Sequence, residues 1–469
     1  MTRYEVVFIA IPTLGNLVPQ VEFANLLTKH DPRFSATILT VSMPQRPLMN
    51  TYVQARASSA ANIKLLQLPI VDPPAPEQYQ TLVGFLSLHM QNHKHHVKHA
   101  LLNLMKTTES NSSNSVRLAA IFVDMFSTTL IDVAAELAVP CYLFFASPAS
   151  CLGFTLDLPR FDLAESKSEF TVPCFKNLLP RSVFPNLVLD AKDGTFWLSY
   201  HARRYKETKG IVINTLQELE THALQSLHND SQLQRVYPIG PILDLVGSAQ
   251  WDPNPAQYKR IMEWLDQQPL SSVVLLCFGS MGSLEANQVE EIAIGLERAG
   301  VRFLWALRES PKAQLEYPRD YENHKDVLPD GFLERTNNIG LVCGWVPQAV
   351  VLAHKAVGGF VSHCGWNSIL ESLWHGVPVA TWPLYSEQQM NAFQMVRDLG
   401  LAVEISVDYR VGADLVRAEE VENGVRSLMK GGDEIRRKVK EMSDTCRGAL
   451  LENGSSYSNL VSLIQELTS

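Results

Sequence analysis

No stretch of this sequence approaches the roughly 20 consecutive apolar residues of a membrane-spanning helix, so stable membrane insertion is not expected. Charge is sparse too, at 19% of residues, and positive charge is the scarcer sign: 40 Lys and Arg stand against 49 Asp and Glu, a net −9. With a pI near 5.8, a broad nucleic-acid-binding surface is excluded. Cysteine is scarce and unpaired in pattern. Cys141, Cys151, Cys174, Cys277, Cys343, Cys364 and Cys446 form no C-x-x-C and lie mostly inside apolar runs. They read as reduced thiols of a cytosolic protein, not as a disulfide framework. The opening MTRYEVVFIAIP lacks the basic region and long apolar core of a secretory signal, since Pro12 and Gly15 end it early. A first core strand fits it better, and a cytoplasmic, monomeric protein is expected.

What is present is the rhythm of an α/β protein. YEVVFIAI (4–11) is a continuous apolar run, the mark of a strand buried on both faces. A glycine turn follows, Pro19 offers a helix start, and FSATILTVS (34–42) is the next strand. Such β-α-β units pair their strands in parallel. LAAIFVDMF (118–126), CYLFFAS (141–147) and KGIVINTL (209–216) continue the pattern, the last closing this half. A Pro- and Gly-rich connector follows, and SVVLLCF (272–278) restarts the rhythm with VRFLWAL, GLVCGWV, GGFVSH and GVPVATW. The helix LEANQVEEIAIGLERAG should bury Val289, Ile292, Ala293 and Leu296 and stop at Gly300. At 469 residues, two doubly wound Rossmann-like domains facing a cleft are predicted, at 1–240 and 257–450, joined by 241–256 and followed by a helix over 451–469. Ligands of such sheets bind at the carboxyl ends of the strands. The biased segment HMQNHKHHVKHA places His89, His93 and His96 on one helix face; without an accompanying carboxylate or cysteine, a solvated or pocket-edge helix is the simpler reading than a metal site.

Residues 345–389, WVPQAVVLAHKAVGGFVSHCGWNSILESLWHGVPVATWPLYSEQQ, carry the densest signal. GGFVSH is a strand end, Cys364-Gly365 a tight turn, and Asn367-Ser368 a helix start whose free N–H groups suit phosphate oxygens. His363 can donate to the same anion, and Gly279-Ser280 offers a second turn. Ser368 and Glu371 equally fit an S-x-x-E capping box, and Trp345 equally fits core or a stacking surface.

This stretch closely resembles the signature box of plant family-1 UDP-glycosyltransferases: W-x-P-Q from Trp345, H-C-G-W-N-S from His363, G-V-P from Gly376, then Glu387-Gln388. The resemblance runs through the whole chain, including G-x-L-x-P-x-x-E-F-A-x-L-L, V-D-M-F, D-V-A-A-E-L and F-G-S. It implies the GT-B fold, a UDP-sugar held by the second half, a small apolar or aromatic acceptor held by the first, and a terminal helix packed back on the first domain. By this resemblance Trp345 stacks on uracil, Val346 and Gln348 hold the nucleoside, and Glu371 takes the ribose hydroxyls. Ser280, His363, Gly365, Asn367 and Ser368 address the diphosphate. Trp366, Glu387 and Gln388 address the sugar, in the glucose-using version. No cofactor is implied, UDP-glucose being a substrate. No D-x-D triplet occurs, which speaks against a metal-held diphosphate. An apolar acceptor cavity is hinted at by Phe85, Leu86, Leu88, Met90, Phe144, Phe145 and Phe154, which equally read as core.

The family's general base is a histidine in a G-H-x-x-P turn, oriented by an aspartate that Asp124 matches. Here the turn reads Gly15-Asn16-Leu17-Val18-Pro19. Asparagine hydrogen-bonds but does not take up a proton in the useful range. Three readings stand: an altered active enzyme weakened at Asn16, a natural divergence in which Asp124 or an acidic acceptor compensates, or a catalytically impaired UDP-sugar-binding protein. Plain structural roles stand beside them, Asn16 as a turn-stabilising cap and Asp124 capping the turn after its strand. Attack by an aromatic carbon rather than a hydroxyl is a further possibility that the sequence does not favour.

Overall fold

The computed structural model describes residues 2–43, 62–109, 116–163, 167–189, 192–245, 254–312, 315–412, 415–431 and 433–469, together with 49, 52 and 55. Two parallel sheets dominate it. The first is built from β1 (Arg3–Ala10), β2 (Phe34–Thr40), β3 (Ile63–Gln67), β4 (Val116–Asp124), β5 (Cys141–Phe145), β6 (Gly210–Ile213) and β7 (Val236–Pro238), in the order β3-β2-β1-β4-β5-β6-β7. The second comprises β8 (Val273–Cys277), β9 (Arg302–Ala306), β10 (Gly340–Cys343), β11 (Val357–Ser362), β12 (Val379–Thr381) and β13 (Ala402–Glu404), in the order β10-β9-β8-β11-β12-β13. Every neighbouring pair in both sheets is parallel. The apolar runs explain why: β1 is buried from Tyr4 onward and β8 throughout, because helices cover both faces. The helix Ala286–Ala299 buries Val289, Ile292, Ala293 and Leu296 and ends at Gly300 with φ +60°, as its spacing predicts.

Several local expectations need correcting. Pro19 does not open its helix; α1 runs Leu14–His30 and carries Pro19 inside, in its second turn. KGIVINTL does not close the first sheet, because Val236–Pro238 adds β7 beyond it. Strands β3 and β13 have no counterpart in the periodicity reading; at five and three residues they lie near the noise of such patterns. The histidine segment is not one helix, and it is solvated only in part: His95 and His99 are exposed. It breaks at His93 between helices Leu82–Asn92 and Lys94–Glu109, and His89 and His93 are buried, with pKa values driven down by burial, His89 to about 4. No group of three or more potential metal ligands occurs among the described residues. The connector 246–253 lies outside the described residues.

The two lobes are tied by polar contacts around the cleft. Glu220 accepts from the N–H groups of Ala149 and Ser150 at a helix start and from Gln394 of the second lobe. The carboxyl-terminal helix (Ser455–Thr468) buries Leu460, Leu463, Ile464 and Leu467 in the first lobe's core. There Glu466 accepts hydrogen bonds from Tyr142, at 2.8 Å, and from Tyr237. Replacing Glu466 with Ala strands both tyrosine hydroxyls. A loss of about 1–3 kcal/mol is expected in chemical unfolding, with Glu466→Gln losing less because an acceptor survives. Unchanged stability in Glu466→Ala would show that this carboxylate does not hold the helix.

Candidate active site

The carboxyl ends of both sheets open onto one cavity of about 700 Å³. That is where the β-α turns leave free N–H groups and where doubly wound sheets bind ligands. Its walls include Asn16 from the first lobe, and Ser280, Trp345, Val346, Gln348, His363, Gly365, Trp366, Asn367, Ser368, Glu371, Glu387 and Gln388 from the second. The residues singled out on the sequence therefore converge. Asp124 is the exception: it is wholly buried behind the wall.

The second lobe's wall centres on the neighbouring strands β8 and β11, where Cys277 pairs with Ser362. Each strand is followed by a turn containing a glycine that cannot carry a side chain. A Cβ at Gly279 or at Gly365 would come within 2.5 Å of His363 Nε2, and Gly279 also sits at φ +76°. His363 is thus wedged between two backbones. Burial holds its pKa down at about 4, so the ring is neutral and offers a hydrogen bond rather than positive charge. Hydrogen-bond donation by His363 thus stands without positive charge, and compensation of an anion's charge falls to the helix dipole. Cys364 at φ +62° and Ser386 at φ +62° flank the same wall, and left-handed backbone at non-glycine residues clusters where geometry serves function.

Helix α2 (Trp366–His375) begins at Gly365, its N-cap. Ser368 therefore lies inside the helix, and the capping-box reading of Ser368 and Glu371 is overturned. Instead Gln348 Nε2 donates to Ser368 Oγ at 2.8 Å and to Glu371 Oε2 at 2.7 Å. Glu371 is enclosed by protein while keeping partial access to the cavity. Burial pushes its pKa up to about 7, the Gln348 hydrogen bond opposing and Asp244 adding to the rise. Trp366 donates its indole N–H to Asn214 O, at 2.6 Å, so only its backbone and ring face the cavity. Asn367 Nδ2 reaches across to Gly15 O at 2.9 Å, while its Oδ1 is buried without a partner. Gln388 spends its oxygen on the N–H groups of Leu384 and Tyr385, leaving its amide nitrogen.

Trp345 is half-buried at the cavity wall, not core. Its backbone is pinned by residues that sequence reasoning missed. Gln257 donates to Trp345 O at 2.7 Å and accepts from Gly344 N at 3.2 Å, and Asp320 accepts from Trp345 N at 2.9 Å. Arg308, buried, holds Asp320 at 2.9 Å. No spacing rule links positions 257, 308, 320 and 345, so no local signal could have found them.

On the first lobe, Asn16 Nδ2 donates to Asp124 Oδ2 at 3.1 Å, and Thr13 Oγ1 donates to Asn16 Oδ1 at 2.8 Å. Gln20, another residue not foreseen, donates to the same Asp124 oxygen at 2.9 Å, and Phe126 N donates to Asp124 Oδ1 at 3.0 Å. Burial nevertheless raises the Asp124 pKa to about 7, against the lowering effect of the Phe126, Asn16 and Gln20 hydrogen bonds. Of the apolar residues noted as a possible cavity lining, only Leu86 reaches it; Phe85, Met90, Phe144, Phe145 and Phe154 are core.

A sequence profile described as "UDP-glucoronosyl and UDP-glucosyl transferase" matches residues 187–431. The chain is 45% identical to UDP-glycosyltransferase 71K2 of Pyrus communis, over 100% of this chain and 98% of that one. It is 44% identical to UDP-glucose flavonoid 3-O-glucosyltransferase 6 of Fragaria ananassa, over 99% and 98%. The fold matches UGT71G1 of Medicago truncatula complexed with UDP-glucose at a TM-score of 0.89, with 38% identity and coverage of 100% and 99%.

The raised pKa of Glu371 has a measurable consequence. A carboxyl whose folded pKa lies above its unfolded one favours folding when protonated. Its stabilising share is present below the unfolded pKa, near 4.5, and is lost as pH rises to about 7. Buried histidines such as His201 and His363 act oppositely, so the difference between proteins is the informative quantity. Glu371→Gln should gain stability relative to the parent between pH 5 and 7.5, on the order of 1–2 kcal/mol. A pH-independent difference in Tm would contradict it.

Proposed function

The chain belongs to the UDP-glycosyltransferase family, and on that premise we propose that it transfers glucose from UDP-glucose to a hydroxyl of a small phenolic, flavonoid-like or terpenoid acceptor. The transfer inverts the anomeric carbon and uses no metal ion or cofactor. What supports this reading is one convergence: the whole set from Trp345 to Gln388 lines one cavity wall, with Asn16 on the wall contributed by the first lobe. The relatives named for UDP-glucose and flavonoids accord with it.

In this reading uracil lies on the face of Trp345, with Val346 and Gln348 beside the nucleoside. Glu371 accepts from the ribose hydroxyls. The diphosphate meets the N–H groups at the start of α2 after Gly365, together with Ser280, the neutral His363 and the amide of Asn367. Trp366, Glu387 and Gln388 hold the glucose with its anomeric carbon toward the first lobe. An acceptor oxygen then attacks from the face opposite UDP, and the leaving charge develops against the helix dipole. At the position of the family's base, Asn16 orients without taking a proton, so turnover is weak. Cytoplasmic location and a monomeric state complete the proposal; no helix among the described residues is long and apolar enough to cross a membrane.

The Asn16 side chain already points its nitrogen at Asp124, so a histidine there would find its orienting carboxylate in place. Asn16→His should raise kcat by about 10²- to 10⁴-fold, read as the mass gain of one hexose on a phenolic panel. Product from neither form, with UDP heat in calorimetry from both, would instead support a sugar-nucleotide-binding protein. Trp345→Ala should weaken UDP binding by about tenfold or more, as losing an aromatic–base stack does. EDTA should leave turnover unchanged.

A further inference from the structure

Within residues 1–240 the cavity wall contains no ionisable side chain among the described residues; Asp244, just beyond them in the chain, lines the cavity close to Glu371. Leu82, Val83, Leu86, Met125 and Phe126 make it apolar, and its polar members are the hydroxyls and amides of Thr13, Asn16, Thr81, Ser147 and Asn186. Asp124, behind this wall, is fully buried, and both of its oxygens are engaged, Oδ1 by Phe126 and Oδ2 by Asn16 and Gln20. Behind it stands Tyr205, whose hydroxyl donates to Met125 O at 3.1 Å. Across the cleft, Glu387 receives a 3.4 Å hydrogen bond from Ser147, and the neutral His363 is wedged beneath its glycines. None of these groups is free at the Asn16 turn to receive a proton.

The side chains that form that turn's hydrogen bonds, Thr13 and Asn16, are neutral, and neither takes up a proton in the useful range. Thr13 spends its hydroxyl proton on Asn16 Oδ1, and Asn16 spends one N–H on Asp124. A primary amide has two N–H groups and two oxygen lone pairs, so Asn16 retains one donor and one acceptor site, neither of which takes up a proton near neutral pH. A donor suits an oxygen that has already lost its proton, and does nothing to remove one.

Resting on the glucosyl-transfer reading above, we propose that this chain selects acceptors by acidity: it glucosylates phenols and enols whose hydroxyl is already ionised, the second N–H of Asn16 holding the oxyanion. The acceptor's proton goes to bulk water before binding. The phenolate oxygen then forms the bond to the anomeric carbon as the bond from that carbon to the β-phosphate oxygen breaks, and the electron pair leaves on UDP. Negative charge moves from acceptor to diphosphate and no protein group changes protonation. A delocalised phenolate suits this apolar wall better than a carboxylate, whose localised charge finds no cation on the first lobe. On a polyphenol, the most acidic hydroxyl is the one modified.

The test measures kcat/KM at pH 7 with saturating UDP-glucose over a para-substituted series running from 4-nitrophenol to 4-methoxyphenol, with benzoate included. The parent chain should lose at least about tenfold across the series, whereas Asn16→His, supplied with a base, should vary by no more than about threefold. Parent pH profiles with two phenols give a readout independent of that variant's folding, and their midpoints should move with the acceptor's own ionisation. A flat series, a midpoint indifferent to the acceptor, or faster transfer to benzoate than to 4-nitrophenol would overturn acidity selection. So would the absence of product from every phenol while calorimetry records UDP binding. Absence of UDP binding would overturn the glucosyl-transfer reading itself.

Discussion

The close approach of two backbones over His363 is the constraint on which the site depends. Strands β8 and β11 lie side by side, and the turns after both fold inward over one imidazole. Only glycine fits at positions 279 and 365, because any Cβ would overlap the ring nitrogen. That closeness puts the start of α2, the Gly279-Ser280 turn and a neutral N–H donor around one small volume. It also costs the histidine its charge. The anion site proposed here is therefore a set of oriented dipoles, and it needs rigidity more than it needs cations.

The first lobe works under the opposite pressure. Asp124 sits at the end of β4 in full burial, where a carboxylate is expensive unless it is hydrogen-bonded. Three donors converge on it, from Asn16, Gln20 and Phe126. In a protein with histidine at position 16 such a carboxylate would orient the ring. Here it fixes an amide instead, and the amide's geometry decides which kind of oxygen it can greet. The bond from Asn367 to Gly15 O joins this turn to the start of α2, so the proposed donor and acceptor ends of the cavity are held in register by one contact.

Much of the architecture could be read from local pattern. Runs such as YEVVFIAI and SVVLLCF are apolar on both faces, and nothing but a helix-covered parallel strand accommodates them. The helix before Gly300 showed its buried stripe and its stop. Reading failed where a pattern was too short or a neighbour overrode it. Strands β3, β7 and β13 are brief and lie at sheet edges, where each pairs on one side with a strand already in place. Pro19 tolerates the second turn of α1, and His89 and His93 are drawn inward by the packing of their helices.

Linear order carried the chemistry that depends on residue type: glycine turns suited to the proposed anion site, an indole that can stack, and an asparagine that does not take up a proton. Those properties belong to side chains whatever surrounds them. Protonation state and commitment of polar atoms belong to the fold. That His363 is neutral, that Glu371 and Asp124 titrate near neutrality, and that Gln257 and Asp320 brace Trp345 all arise from burial and from contacts between distant segments. Desolvation is a property of the packed interior, and no stretch of sequence contains it.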